Sequence, residues 1–365
     1  MQNNPPLLPL EQYFMEVAKQ PEKFPTQKDY WKHYSSMLQI LREEFYPNVN
    51  VGLAANSGAD PAIYTDHSGE HFDEVVRYAG FLLAFDPNSE EFPKKIDHSP
   101  FEIFLLLMAI RLHDVGNIYG RDGHERKAID VYKESVPPAS RDPLVSNTIF
   151  RIAQAHGGKS SRQDKDTIAD LQETDHLGSN IRFKPRAIAA LVRFADEICE
   201  HRGRVKMHMI DSGVIPEHNL IYHLYGASIK SSVVNRSDKS VSIDYVVHQK
   251  YLRQSYPVEP PKANGRPQKK KFLIDEILDR IGKLNLERIY CNQYLEPQYQ
   301  TDRIHIKIYI VDGEHGEKTL EEKKLNILPG GYPTDNKQWR GQLVDFDGKS
   351  IKKRHGKLPR KARVK

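Results

Sequence analysis

The segment FEIFLLLMAIRLHDVGN, residues 101–117, constrains the fold of this chain more than any other. Its first ten residues are apolar except for Glu102, and a helix that is apolar on every face is buried in a protein core. Ser99 stands three residues before Glu102, which is the spacing of a capping box at a helix start. We therefore predict a central, buried helix. It ends in an adjacent pair of ionisable residues, His113 and Asp114.

Other segments show the three- and four-residue spacing of amphipathic helices. Trp31, Tyr34, Leu38, Leu41 and Phe45 follow this spacing, and a loop rich in Gly, Ala and Asn at 51–62 interrupts it. The predicted helices cover residues 8–48 (two helices), 69–85, 101–117, 123–135, 142–156 and 185–201. The sequence thus predicts an all-helical domain over residues 1–212.

The composition changes after residue 212. Residues 222–252 contain alternating and β-branched positions on either side of Asn235-Arg236-Ser237-Asp238, which is typical of a hairpin. An amphipathic helix is predicted over 272–284, and RIHIKIYIVDG at 303–313 alternates as a strand. We therefore predict an α+β protein, with an all-helical domain followed by a smaller α+β domain over 213–330 and a basic, flexible tail over 331–365.

The net charge of +5 depends on this tail. Residues 349–365 contain nine Lys and Arg and no acidic residue, so the rest of the chain has 45 basic and 49 acidic residues. A solvated end is the usual meaning of such a run, and contact with nucleic acid is the alternative.

Several features favour the cytoplasm. No run of 18 apolar residues is present, so no contact with a membrane is expected. The first residues, MQNNPPLLPLEQ, lack the basic and apolar regions of a secretory signal. Cys199 and Cys291 lie far apart in sequence, which suits free thiols in a reducing compartment. The sequence does not specify the oligomeric state, and a homo-oligomer remains open.

A set of histidines and aspartates supplies the chemistry. Adjacent side chains on a helix point about 100° apart, so the His–Asp pair can share an ion only if the ion lies between helices. Imidazole and carboxylate ligands suit Mn, Fe, Co, Ni, Zn or Mg. The candidate ligands come from different predicted helices or helix ends: His71, His113, Asp114, His124, His156 and Asp196.

The order of these residues resembles the HD superfamily of metal-dependent phosphohydrolases. HFDEVVRYA at 71–79 resembles its first motif, RLHDVGN at 111–117 its second and RFADEI at 193–198 its last. The resemblance covers residues 60–205. It implies an enzyme that cleaves a phosphate ester of a nucleotide or a related compound through a metal-activated hydroxide.

The resemblance also implies a role for each candidate residue. His71, His113, Asp114 and Asp196 would bind one divalent ion. His124 and His156 resemble the branch with a second metal, as in cyclic dinucleotide phosphodiesterases, in which case Asp114 would bridge the two ions.

The chain departs from the family where a phosphate-binding Lys often follows the HD pair, because Asn117 stands there. Arg121 and Lys159 are the candidate replacements, although Arg121 is equally well explained as a solvated loop residue. Structural alternatives remain for two histidines: a core position for His71, and an interaction with a helix dipole for His156. A ligand role, a substrate contact and a surface position all remain open for His67.

Three other functions remain as alternatives. The first is an HD-type nuclease, for which the basic tail would bind nucleic acid. The second is an oxygenase, since some HD proteins hold two irons. The third is a metal-containing module that senses a nucleotide without turnover.

Overall fold

The computed structural model describes residues 6–55, 65–84, 96–178, 181–261, 266–313, 316–328 and 337–356. These residues divide into two units, each treated by itself. The helical unit comprises the described residues within 6–55, 66–199 and 287–300. The sheet unit comprises Thr65 and the described residues within 200–286 and 301–356.

The helical unit contains helices and one short hairpin. The helices are α1 (Pro9–Val17), α2 (Tyr30–Ile40), α3 (Tyr46–Ala55), α4 (Gly69–Leu82), α5 (Pro100–Leu112), α6 (His124–Ser135), α7 (Pro143–Gln154) and α8 (Pro185–Ile198). A π-helical turn, Leu41–Phe45, joins α2 to α3, and a 3-10 turn, Val115–Tyr119, follows α5. Strands β1 (Asp175–Leu177) and β2 (Ile181–Phe183) pair antiparallel.

Helix α5 lies at the centre of this unit. Every residue from Phe101 to Leu112 is buried, and α5 contacts α1, α2, α4, α7 and α8. The capping box is present: Ser99 Oγ accepts from the Glu102 amide, and the Glu102 carboxylate accepts from the Ser99 amide. The prediction of a central buried helix is confirmed.

The sheet unit is built on a four-stranded mixed sheet of order β3-β4-β7-β8. β4 and β7 are parallel, and the outer pairs are antiparallel. Its helices are α9 (Met207–Asp211), α10 (Glu217–Ser228), α12 (Lys337–Arg340) and α13 (Gly348–His355), together with the part of α11 (Leu273–Asn292) up to Leu286. Its strands are β3 (Ile229–Asn235), β4 (Ser240–His248), β5 (Tyr256–Pro257), β6 (Lys270–Lys271), β7 (Arg303–Asp312) and β8 (Lys318–Ile327).

Strand β7 shows why this sheet forms. Ile304, Ile306, Ile308 and Ile310 alternate with polar residues and are buried, which places the apolar side chains on one face. The hairpin predicted around residues 235–238 is also present, as β3 and β4. The α+β fold class is therefore confirmed.

Four local predictions differ from the structure. α3 continues to Ala55, into the predicted loop at 51–62, of which residues 56–62 lie outside the described residues. The region before residue 212 is not all helical, because β1 and β2 occur there. Residues 222–228 are the end of α10 rather than strand, and α11 extends to Asn292.

The predicted domain boundaries also differ. Residues 200–212 belong to the sheet unit, whereas 287–300 return to the helical unit. A flexible tail was predicted from residue 331, but Lys337–Arg340 and Gly348–His355 are helical. Trp339, Phe346 and Ile351 are buried in this region. Residues 331–336 and 357–365 lie outside the described residues. None of the described helices combines the length and apolarity that a membrane span requires.

Candidate metal centre

The candidate ligands meet in the helical unit, each at a helix or a helix end. His71 lies in the first turn of α4 and Asp196 in the last turn of α8. His113 directly follows α5 and is itself followed by Asp114. The remaining two are His124, which begins α6, and His156, two residues after the end of α7.

Gly116 allows the chain to turn sharply after the His–Asp pair. A Cβ at this position would lie 2.0 Å from the backbone oxygen of His124. The 3-10 turn therefore packs backbone to backbone against the start of α6. This close approach places His124 beside Asp114.

The Asp114 carboxylate stands between two pairs of histidines. Its Oδ2 lies 3.9 Å from His71 Nε2 and 3.8 Å from His113 Nε2. Its Oδ1 lies 2.8 Å from His124 Nε2 and 3.4 Å from His156 Nε2. Each histidine pair together with Asp114 has a spacing that suits one metal ion.

Asp196 adds a second carboxylate to one of these pairs. Its Oδ1 lies 3.4 Å from His71 Nε2 and 3.6 Å from His113 Nε2. The group of His71, His113, Asp114 and Asp196 thus contains two imidazoles and two carboxylates. The group of Asp114, His124 and His156 contains two imidazoles and one carboxylate.

Backbone carbonyls orient three of the histidines. Nδ1 lies 2.7 Å from Ile110 O in His113, 2.8 Å from Arg121 O in His124 and 2.6 Å from Ala153 O in His156. A carbonyl oxygen only accepts, so Nδ1 carries the proton in each ring. The neutral ring then has its lone pair on Nε2, the atom nearest Asp114, which is the tautomer that a metal ligand requires.

The electrostatics of the cluster favour positive charge beside the carboxylates. Burial raises the pKa of Asp114, but His113, His124 and His156 outweigh burial and hold that pKa well below its usual range. Burial lowers the pKa of His113, but the charges of Asp114 and Asp196 raise it to about 8. His113 and the two carboxylates thus stabilise each other's charged forms.

The residues present fit a metal ion. His113 Nε2, His124 Nε2 and Asp114 Oδ1 are buried and make no hydrogen bond to any described residue. Buried polar atoms without partners are costly, and cations held by the two groups would satisfy all three atoms. The mixed imidazole and carboxylate donors suit a divalent transition metal or Mg.

The remaining candidates lie at different distances from Asp114. His67 Nε2 is 3.8 Å from Asp114 Oδ2, so this histidine belongs to the cluster. Arg121 Nη1 is 3.8 Å from Asp114 Oδ1 and donates to Asn117 Oδ1, and about half of its side chain is exposed. Lys159 is exposed, and no contact joins it to the other candidates among the described residues.

A buried ion network, which was not predicted from the sequence, joins α4, which carries His71, to α5, which precedes His113. Arg111 is fully buried; its guanidinium lies 2.7 Å from Glu11 of α1 and 2.5 Å from Asp73 of α4. Tyr46 donates to the Arg111 carbonyl. An arginine inside an otherwise apolar helix was the available signal, because buried charges are paired.

The comparisons with known proteins identify one family. The family model described as HD-CE matches residues 62–256, slightly more than half of the chain. The match includes every candidate ligand. No curated protein and no solved structure matches this chain.

Proposed function

This chain belongs to the HD-CE family of HD-type domains, and from that premise we propose that it is a metal-dependent phosphohydrolase. Its substrate class would be a phosphate ester of a nucleotide or a related compound. Its residues would hold two divalent ions, one on each side of Asp114.

The position of Asp114 carries this proposal. Its two carboxylate oxygens each face a different histidine pair, and the two pairs come from four different helix ends. A buried neutral imidazole has one donor and one acceptor to satisfy. Here, with His67 included, the Nε2 atoms of five imidazoles lie within 4 Å of one carboxylate. This arrangement suits two ions bridged by Asp114.

The ligand set fixes the charge available to a substrate. With neutral imidazoles, the negative charges in the set are those of Asp114 and Asp196. Two divalent ions held there would retain net positive charge, bind phosphoryl oxygens and lower the pKa of a bound water. The hydrogen bonds from Nδ1 to backbone carbonyls keep the rings in place for this task.

Arg121 is placed to bind the phosphate of a substrate. Asn117 Oδ1 accepts from its guanidinium at 3.3 Å, and the exposed half of the side chain remains available to solvent. Asn117 stands where the family often has a Lys. It supplies no positive charge itself, but its side chain accepts a hydrogen bond from Arg121, which does. Arginine binds phosphate through two parallel hydrogen bonds.

Phosphate release from a panel of nucleotides tests this proposal. The panel contains nucleoside monophosphates, nucleoside triphosphates and cyclic dinucleotides, each assayed with added Mn, Ni or Mg. We expect Asp114→Asn to abolish hydrolysis. Asp130→Asn, an exposed carboxylate on α6, is the matched control and should retain it.

Two results would count against the proposal. One is hydrolysis by Asp114→Asn at the wild-type rate. The other is a wild-type protein that binds metal but hydrolyses no member of the panel.

A further inference from the structure

A second cavity lies within the sheet unit. Its volume is about 510 Å³, within the range of small-molecule sites. The wall is formed by the end of α10, the start of β3, the end of β4 and the 3-10 turn Gln249–Leu252. All of these elements belong to one unit, so the cavity is a feature of that unit alone.

The rim of this cavity is positively charged. Arg202, Lys230 and Lys250 line it, and all three are exposed. No Asp or Glu is among the described residues that line it, and none of the three cations has an ion pair with another described residue. Lys250 Nζ lies 4.8 Å from the ring centroid of Tyr251, which also lines the cavity.

The floor of the cavity is apolar. Leu224, Val247, Leu273 and Val311 all line it and are buried. A cleft with an apolar floor and a few charged groups at its rim is the usual composition of a site for an organic ligand. The charged groups fix the orientation of the ligand and the floor supplies apolar contact.

A β-bulge places Lys230 at the rim. Ile229 pairs with Tyr245 and Ser231 pairs with Asp244, so Lys230 is the extra residue of β3. A second irregularity, between Ile310 and Val311 of β7, adjoins the same cavity. Bulges redirect side chains and are frequent beside functional sites.

We propose that this cavity binds a phosphorylated organic molecule. Its phosphate would contact Arg202, Lys230 and Lys250, and its apolar or aromatic body would lie on the floor. Three unpaired cations match the two charges and several acceptor oxygens of a phosphate better than the single charge of a carboxylate. This site is distinct from the cluster around Asp114, and it does not depend on the proposed hydrolysis.

Calorimetric titration tests the site with defined probes. The phosphorylated probes are AMP, ATP and 1-naphthyl phosphate, and the controls are adenosine, 1-naphthol and inorganic phosphate. The titrations use the full chain in EDTA, both as wild type and as Asp114→Asn, so that the candidate metal centre contributes neither binding nor turnover. We expect at least one phosphorylated probe to bind wild type and Asp114→Asn equally. The matching compound without phosphate, and inorganic phosphate alone, should bind at least about tenfold more weakly.

Two cavity variants and one control locate the binding. Lys230→Glu should weaken it about tenfold or more through loss of one charge-assisted contact. Ala227→Trp should exclude the ring of the probe, because Ala227 lines the cavity. Lys307→Glu, an exposed position on β7 outside the lining, should bind as the wild type does. The proposal is overturned if no phosphorylated probe binds at millimolar concentration, or if Lys230→Glu binds the probe as tightly as wild type.

Discussion

His113, His124 and His156 share one local geometry, in which Nδ1 meets the backbone carbonyl three residues earlier. The identity of these residues was available from the sequence, and the structure brings them together. Their pairing around the two oxygens of Asp114 was not available, because it depends on the packing of separate helices. Their role as ligands stays a prediction. The position of His67 was left open for the same reason, since it precedes α4 and is placed by Asn50.

The first test at the scale of single residues concerns phosphate binding by Arg121. Arg121→Ala should lower kcat/KM for phosphate release about 10- to 100-fold, because a charge-assisted hydrogen bond contributes about 1.5–3 kcal/mol. The metal content should not change, because Arg121 is not a ligand. The control is Arg126→Ala on α6, which is exposed and makes no contact with Asp114 among the described residues. An unchanged kcat/KM in Arg121→Ala would remove this residue from the site.

His33 gives a second test, which concerns stability. Burial lowers its pKa to about 4, and the charge of Lys28 adds to this effect. The Tyr132 hydroxyl accepts from Ser146 and lies 3.3 Å from His33 Nε2, where it can donate to a neutral ring. The unfolded chain therefore binds a proton more readily than the folded protein between pH 6.5 and pH 4. The contribution of neutral His33 to stability is fully present above pH 6.5 and is lost as the pH falls towards 4.

Urea denaturation at pH 7 and pH 5 measures this effect. From pH 7 to pH 5, we expect the unfolding free energy of wild type to fall by about 2 kcal/mol more than that of His33→Gln. His208→Gln, in the short helix α9, is the comparison variant. Equal pH dependence in wild type and His33→Gln would show that His33 titrates normally in the folded protein.

At the scale of elements, the turn after α5 determines how the cluster is assembled. Gly116→Ala would place a methyl group against the backbone oxygen of His124, and backbone cannot yield as a flexible side chain can. We expect a loss of at least about 1–3 kcal/mol in unfolding free energy, together with lower metal content. Gly157→Ala is the matched control, because its Cβ would have no described atom within 4 Å. Wild-type stability and metal content in Gly116→Ala would contradict this account of the turn.

The helices and strands show which sequence signals are sufficient to predict secondary structure. α5 was predictable because the capping box and an unbroken apolar run act together over its whole length. The end of α10 was predicted as strand, since Tyr222 and Tyr225 have a residue type that is common in strands. The hairpin of β1 and β2 was missed because each strand has three residues, too few for a periodic pattern.

At the scale of the whole molecule, the chain leaves the helical unit at residue 199 and returns to it at 287. Glu287 binds Arg193 of α8 through two hydrogen bonds, of 2.6 and 2.8 Å. The Arg193 guanidinium also lies 4.6 Å from the ring centroid of Tyr290. This return could not be predicted, because it is made by distant contacts and leaves no local pattern. The helices within residues 337–356 were not predicted either, because the basic composition of this region is typical of a flexible tail.

The return segment supports a prediction of its own. Glu287→Gln should lower the unfolding free energy by about 3 kcal/mol, because Arg193 would remain buried without its partner charge. The hydrolytic activity of the remaining folded protein should be unchanged, because neither residue contacts Asp114. Thermal and urea unfolding measure the change, with the exposed Glu16→Gln of α1 as the control. A change below about 0.5 kcal/mol would mean that the pair contributes no more than a surface ion pair.

We propose that Asp114 holds two metal ions between two histidine pairs, and the metal content of purified protein tests this proposal most directly. Inductively coupled plasma mass spectrometry would be applied to wild type, Asp114→Asn, His156→Gln and the control Asp130→Asn. We expect about two ions per chain in wild type and the control, about one in His156→Gln, and nearly none in Asp114→Asn. Full wild-type metal content in Asp114→Asn, or no metal in wild type after addition of Mn, Ni or Mg, would contradict it.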